Sequence, residues 1–320
     1  MTPTPVSVAL VAYNGFSPFH FSIPYMVFTI ELPNQRLFDL KIVAADGKPL
    51  SAERALVLQP DAGYEAIETA DLVIVPGWLN LDEAPDAGLI AALHSAHSRG
   101  AYVAGLCYGA YALAYAGLLD GRKTATHWMA EQDFMGRFPN ALLDTNLLYV
   151  EDQRIITSAG TAASLDCCLF LVRTFYGAQI ANKIARIMVM PPHREGGQAQ
   201  FIEQPVAEST KDARINQLLD YIRENLAVHH TIDTLAERIA MSRRSFTRHF
   251  TKATGMSFGE WLLAERLKRV QQLLEATSLS IEQIAEATGF QTALTLRQHF
   301  KQHFHVTPRE WRRTFRVDKN

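Results

Sequence analysis

Apolar residues fall in short, nearly unbroken runs through the first half of the chain. "VSVALVAY" (Val6–Tyr13), "DLKIVAA" (Asp39–Ala45), "DLVIVPG" (Asp71–Gly77), "AYVAGLC" (Ala101–Cys107) and "RIITSAG" (Arg154–Gly160) are rich in valine and isoleucine and show little strict polar alternation. That is the pattern of strands buried on both faces. Between them, "LIAALHSAHSRG" (Leu89–Gly100) and "GAYALAYAGLLDG" (Gly109–Gly121) carry helical spacing and end at glycine. The alternation predicts an α/β fold with a doubly wound, flavodoxin-like parallel sheet. Ala162–Gly177 and Ala178–Met190 then read as two consecutive helices.

"PPHREGGQAQFIEQPVAEST" (Pro191–Thr210) breaks the pattern with proline, glycine and polar residues, and from Asp212 onward every segment has helical spacing. The expected organisation is an α/β domain over 1–200, a linker over 201–211 and an all-α domain over 212–320. The last third repeats itself. "LAERIAMSRRSFTRHFTKATGMSFGEW" (Leu235–Trp261) aligns with "IAEATGFQTALTLRQHFKQHFHVTPREW" (Ile284–Trp311), with one extra residue in the second turn. Ala236 matches Ala285, Phe246 matches Leu296, Phe250 matches Phe300 and Trp261 matches Trp311. Each copy predicts a helix, a tight turn (Met241-Ser242; Gly289-Phe290) and a second helix with Ser242 or Thr292 as N-cap. Ser280 and Gln283 form a capping box before the second copy. Two helix-turn-helix units follow from this layout, each with a second helix able to enter a DNA major groove.

Composition and charge add a contrast between the halves. Hydrophobic residues at 48% and charged residues at 20% fit a globular protein with a substantial core. Residues 1–200 hold 13 Lys+Arg against 19 Asp+Glu, whereas residues 201–320 hold 18 against 14 and six of the eleven histidines. The basic excess places a polyanion partner on the C-terminal side. No apolar run approaches the roughly 18 residues of a membrane span, and no signal-peptide pattern opens the chain. Three cysteines, two of them adjacent, make no disulfide framework, so the expected compartment is the cytoplasm. The histidines and cysteines lack metal-ligand spacing, and neither a metal nor a cofactor is expected.

Residues 212–315 resemble the AraC/XylS family DNA-binding domain, with "EWLLAERLKRVQQLLE" (Glu260–Glu275) as its central helix and "IAEATGF" and "FKQHFHVTPREWRR" as its second-unit signature. The resemblance implies base-edge contacts from Arg244, Thr247 and Arg248 in the first unit, beside Arg243. In the second it implies Leu294, Thr295 and Gln298, with Arg297 adjacent. The sequence departs from the family at His305, where glycine is usual, and at Phe258, where proline is frequent.

The remaining chemistry centres on Cys107, set in "GLCYG" between a strand and a helix, the layout of a nucleophile elbow. A thiol at a helix N-terminus is expected to have a lowered pKa. His127, in "TATHW", is the candidate base. "GLCYGAYALAYAGLLDGRKTATHW", "ITSAGTAASLDCCLFLVRTFYG" and "PPHREGGQAQF" resemble the ThiJ/PfpI, class I glutamine amidotransferase-like superfamily, in its GlxA-type branch fused to AraC domains. Two absences from that pattern count against catalysis. The loop after the first strand, "GFSPFHFSIP", offers His20 in place of a carboxylate, and no His-x-Glu pair occurs in the predicted helices that follow "TSAG" (162–190). Cys107, Tyr108, His127, His20, Trp78 and Asp166 are the candidate ligand residues; for His20, Asp166 and Trp78 a purely structural role stays open.

The expected function is a sequence-specific transcription regulator controlled by a small metabolite bound in a non-catalytic domain. The resemblance implies a homodimer, an activator that meets RNA polymerase, and a nitrogenous effector. The alternatives are a cysteine-dependent hydrolase, hydratase or deglycase, and a thiol redox sensor acting through Cys107.

Overall fold

The computed structural model describes residues 4–33, 35–190, 197–198 and 212–316. The expected linker at 201–211 lies outside the described residues. Contacts divide the chain into two compact units, Met1–Gln198 and Ala199–Asn320.

In the first unit, six strands form one sheet: β1 (Val6–Val11), β2 (Phe38–Val43), β3 (Leu72–Val75), β4 (Tyr102–Leu106), β5 (Tyr149–Asp152) and β6 (Ile155–Ser158). Their order is β5-β6-β4-β3-β1-β2, parallel throughout except for β5 against β6. Successive residues go to opposite faces. Val8, Leu10, Leu72 and Ile74 pack with α1 (Pro18–Phe28) and α5 (Ala163–Ile187), while Ala9, Val11, Val73 and Val75 pack with α2 (Ala87–Ser98), α3 (Gly109–Tyr115) and the short α4 (Glu131–Arg137). Burial on both faces is why these strands carry continuous apolar runs. All five strands expected from those runs are present, each within two residues of the expected ends. The two helices expected after Ala162 are the two arms of α5, which bends at Gly177 (φ 78°).

Among the elements that escape the apolar pattern, α1 and β5 have identifiable reasons. Helix α1 begins with Pro18 and contains Pro24. The first is favourable at a helix start, but the second removes an internal donor and masks the helix in sequence. Strand β5 joins β6 through Gln153 and Arg154, both at positive φ (54° and 65°). That is the backbone a tight hairpin turn needs, reached without the usual Asn-Gly signal.

The sheet has a topological switch. From β1 the chain goes to β2 on one side, then returns to β3 on the other and continues to β4. Open α/β sheets place ligands outside the carboxyl ends of strands at such a point. The residues just past those ends are Tyr13, Gly77 and Trp78, Cys107, and Gly160.

The second unit is helical among the described residues: α6 (Ala213–Glu224), α7 (Ile232–Arg238), α8 (Arg243–Thr254), α9 (Phe258–Ala276), α10 (Ile281–Ala287), α11 (Ala293–Phe304) and α12 (Pro308–Phe315). It has two small cores that share α9. Trp261, Leu262 and Ala264 join the core of α6 to α8, and Leu267, Val270 and Leu274 join that of α10 to α12. Ser242, Ser280 and Thr292 cap their helices as expected, and capping boxes also start α9 (Ser257, Glu260) and α12 (Thr307, Glu310). His305 adopts the left-handed conformation (φ 57°) that Gly255 holds in the first copy (φ 75°). The departure from glycine therefore leaves the turn intact, at a conformational cost.

Candidate functional site

Cys107 sits between β4 and α3 with φ 55°, a strained value for a residue bearing Cβ. Its neighbours make the bend possible. A Cβ on Gly109 would come within 2.2 Å of the Val75 carbonyl oxygen, and one on Gly160 within 2.2 Å of the Cys107 sulfur. The elbow is pinned by the Cys107 N–H donating to the Ser158 carbonyl (3.1 Å) and by the Thr126 hydroxyl donating to the Cys107 carbonyl (3.1 Å). The thiol is 2% exposed. Burial pushes its pKa up to about 11, against the lowering by the Tyr108 and Thr161 backbone amides. This corrects the expectation of an acidic thiol: desolvation outweighs the amides and the helix end.

Tyr13, His20, Trp78, Tyr108 and His127 gather around the same strand ends. The Tyr13 and Trp78 rings lie 4.9 Å apart, and those of Tyr108 and His127 5.9 Å apart. A Cβ on Gly77 would touch the Tyr13 hydroxyl (3.4 Å) and the His20 Cβ (3.8 Å), so these two side chains stand over Gly77. Burial lowers the pKa of His20, Glu53 acting in the opposite sense and His127 in the same one. Burial also raises the pKa of Tyr13, with further contributions from Cys107 and Glu53. The buried Nε2 of His20 has no hydrogen-bond partner among the described residues, which is unusual for a buried polar atom.

His127 is half-buried, which lowers its pKa. Its Nδ1 accepts from the Met129 N–H at 3.3 Å, so the neutral ring carries its proton on Nε2. Among the described residues no hydrogen bond joins His127 to the Cys107 sulfur. Trp78 donates its indole N–H to the Glu83 carbonyl (2.8 Å) and so stiffens its own loop. Asp166 is 7% exposed on the first turn of α5. Its charge acts on Tyr149, Cys167 and Cys168, and is not among the influences on Cys107, Tyr13, His20 or His127.

Sequence reasoning missed Tyr13 and Glu53 as members of this cluster. Tyr13 carried a signal, because it ends the first strand. Glu53 carried none: it lies 33 residues beyond His20 and reaches the site through backbone bonds tying its segment to the loop after β1 (Gly15 N–H to Ser51 carbonyl, 2.7 Å; Glu53 N–H to Phe16 carbonyl, 3.2 Å). No group of three or more His, Cys, Asp or Glu among the described residues is arranged to hold a metal.

In the second unit the turn before α8 uses Ala240 (φ 53°) and the turn before α11 uses Gly289 (φ 77°). Phe246, Phe250, Leu296 and Phe300 are fully buried. That orientation leaves Arg243, Arg244, Thr247, Arg248, Leu294, Arg297 and Gln298 exposed. Thr295 is half-buried, and its hydroxyl is engaged with that of Thr292 in the helix cap (2.9 Å). Arg243 pairs with Asp233 (2.8 Å) and Arg297 with Glu282 (2.9 Å). Arg244 and Arg248 point outward with no such carboxylate partner among the described residues.

Residues 6–174 match the family model of the DJ-1/PfpI family, and residues 235–314 match that of a helix-turn-helix domain. The HTH-type transcriptional regulator GbdR of Pseudomonas aeruginosa is 27% identical over 282 residues, covering 88% of this chain and 77% of its own. The HTH-type transcriptional regulator ArgR of the same species is 34% identical over 236 residues, 73% of this chain and 71% of its own. The crystal structure of a THiJ/PfpI family protein from Pseudomonas syringae shares the fold, with a TM-score of 0.52 at 22% identity over 74% of this chain and 91% of that one. No helix among the described residues is long and apolar enough to cross a membrane. An elbow-bearing α/β unit, a duplicated helix-turn-helix and relatives that span both parts lead to one assignment: the chain belongs to the DJ-1/PfpI family and is a transcription regulator carrying an AraC-type DNA-binding domain.

Proposed function

We propose that a small metabolite binds at the elbow, against Cys107, Tyr108, His127, His20, Trp78 and Tyr13, and sets how the two reading helices engage operator DNA. The observation that carries this reading is His20. Its buried Nε2 has no hydrogen-bond partner among the described residues and belongs to the cluster at the strand ends, where open sheets take their ligands. The effector is nitrogenous by the family resemblance, and Glu53 supplies a negative charge felt by His20 and Tyr13. The protein acts as a homodimer and an activator in the cytoplasm, where its three free, buried cysteines stay reduced. Asp166, a sequence candidate, acts on Tyr149, Cys167 and Cys168 and is left out of the proposed ligand set.

The proposal includes no catalysis. A nucleophilic cysteine needs a lowered pKa or a base within reach; here burial holds the thiol protonated at neutral pH, and among the described residues no hydrogen bond joins it to His127. The same protonated thiol is a poor redox sensor, because the thiolate is the oxidisable form.

A thermal-shift screen of the full chain against nitrogenous metabolites tests the reading. A true effector raises the apparent stability of wild type, by about 2.7 kcal/mol at a hundredfold excess over its Kd, and loses its effect in His20→Ala. A ligand that acts equally on that variant places the site elsewhere. Turnover of amides or dicarbonyls abolished by Cys107→Ala would restore the enzyme.

A further inference from the structure

We propose that Gln198 is a positioning residue, which fixes the His127 wall of the elbow site to the segment leading out of the first unit. Gln198 is 3% exposed, and both polar atoms of its side chain are bonded. Its Oε1 accepts from the Trp128 N–H (3.0 Å), and its Nε2 donates to the carbonyls of Thr126 (2.8 Å) and Leu147 (3.1 Å). Thr126 and Trp128 flank His127 in sequence, so a single amide brackets the histidine through the backbone on both sides.

The choice of residue follows from what must be satisfied. Two carbonyls and one N–H converge on the slot, and a primary amide matches them with two donors and one acceptor. An apolar side chain of the same size would leave all three unpaired in a buried place. The approach is close as well. The Gln198 N–H donates to the Asn146 carbonyl (2.9 Å), and a Cβ on Gly197 would come within 1.9 Å of that same oxygen. Only glycine lets the chain lie flush enough for Gln198 to enter.

The bonds continue to the elbow. The Thr126 hydroxyl, fully buried, donates to the Cys107 carbonyl, and the Thr126 carbonyl accepts from Gln198. Two hydrogen bonds therefore connect the strained cysteine to the last residue of the first unit. From Gln198 the chain passes through 199–211 to α6 and the DNA-reading helices. A displacement of His127 changes how well the slot holds Gln198, and the hold on Gln198 biases His127 in return, since coupling between two sites is reciprocal.

This inference rests on the reading that the effector occupies the elbow, but its test uses no effector, so either can fail alone. Hydrogen–deuterium exchange is followed on the full chain in wild type, Gln198→Ala, His127→Ala and the double variant. Gln198→Ala is expected to speed exchange of the Trp128 amide about tenfold and to leave α2 and α8 unchanged. His127→Ala is expected to speed exchange at residues 197–198, and the two effects should not add. Additive effects, or a Trp128 amide unaltered by Gln198→Ala, would overturn the proposal. Gln198→Glu gives an independent reading should the alanine variant misfold. Ionised, the introduced carboxylate cannot donate to the two carbonyls and is repelled by their lone pairs, so it leaves the slot and releases the Trp128 N–H; protonated, it donates one bond and accepts one. Relative to wild type at each pH, protection of Trp128 should therefore return as the carboxyl gains its proton. A residue serving only to fill space would show the same protection at both ends of the titration.

Discussion

Phe246 and Phe250 in the first helix-turn-helix unit stand where Leu296 and Phe300 stand in the second, and all four are fully buried. The alanines before the turns, Ala236 and Ala285, are likewise buried in both. Two residues to either side of Phe246 and Leu296, the copies part. Arg244 corresponds to Leu294, which is 62% exposed, and Arg248 to Gln298. Packing holds the inner face of each helix to a narrow set of shapes, whereas the exposed outer face has no core to fill. The outer face is where recognition can change without unfolding the unit. We propose that two long, forked guanidinium donors in the first helix, against a leucine and a glutamine in the second, place most of the sequence reading in the first unit. The units also share a carboxylate at one register, Asp233 and Glu282, yet each pairs an arginine from a different turn of its reading helix. Arg243 and Arg297 are thus engaged within their own units, which sets them apart from Arg244 and Arg248.

The largest expected effect tests that asymmetry directly. Arg244→Ala or Arg248→Ala should weaken binding to a specific operator by about 1–3 kcal/mol and relax base preference. Leu294→Ala and Gln298→Ala should cost about 1 kcal/mol or less, by competition binding at fixed salt. Equal losses from both pairs would end the contrast. A smaller effect concerns the turn after each reading helix. His305→Gly should stabilise the second unit by about 1 kcal/mol in chemical denaturation, because glycine accepts the left-handed conformation freely. The reverse change, Gly255→His, should destabilise the first by a similar amount.

The smallest effect is in pH. Burial, with the neighbouring His305, holds the His303 pKa below the ordinary histidine value, while the corresponding residue of the first unit is Ala253. The unfolded chain takes up a proton near pH 6.5 and the folded ring resists it. The stability contributed by the neutral ring is therefore complete above that value and declines as pH falls below it. Amide exchange followed from pH 7.5 to 5 should show α11 loosening before α8, and His303→Ala should flatten the difference.

How much was legible varied by element. Central strands and amphipathic helices were visible because burial stamps a period on the chain. Helix α1 was hidden by Pro24, and β5 by a turn built from Gln153 and Arg154. The elbow was visible as "GLCYG", yet the state of its thiol was not. The depth at which the sulfur sits opposes the helix end and the amides that lower its pKa, and depth has no local signature. Glu53 was equally silent, since it meets the site from a distant part of the chain; Gln198 stood within the quoted "PPHREGGQAQF", but its bonds to the His127 wall had no signal.

Taken by itself, the amino-acid sequence determined the two architectures, the repeated groove-reading unit and the bend that presents Cys107. Those features follow from periodicity, capping and glycine, which act over a few residues. Tertiary structure decided which polar groups face one another, whether the thiol is charged, and which arginines are already engaged. These depend on burial and on separations of a few ångströms between residues far apart in the chain, where desolvation and hydrogen bonding are set by every neighbour at once.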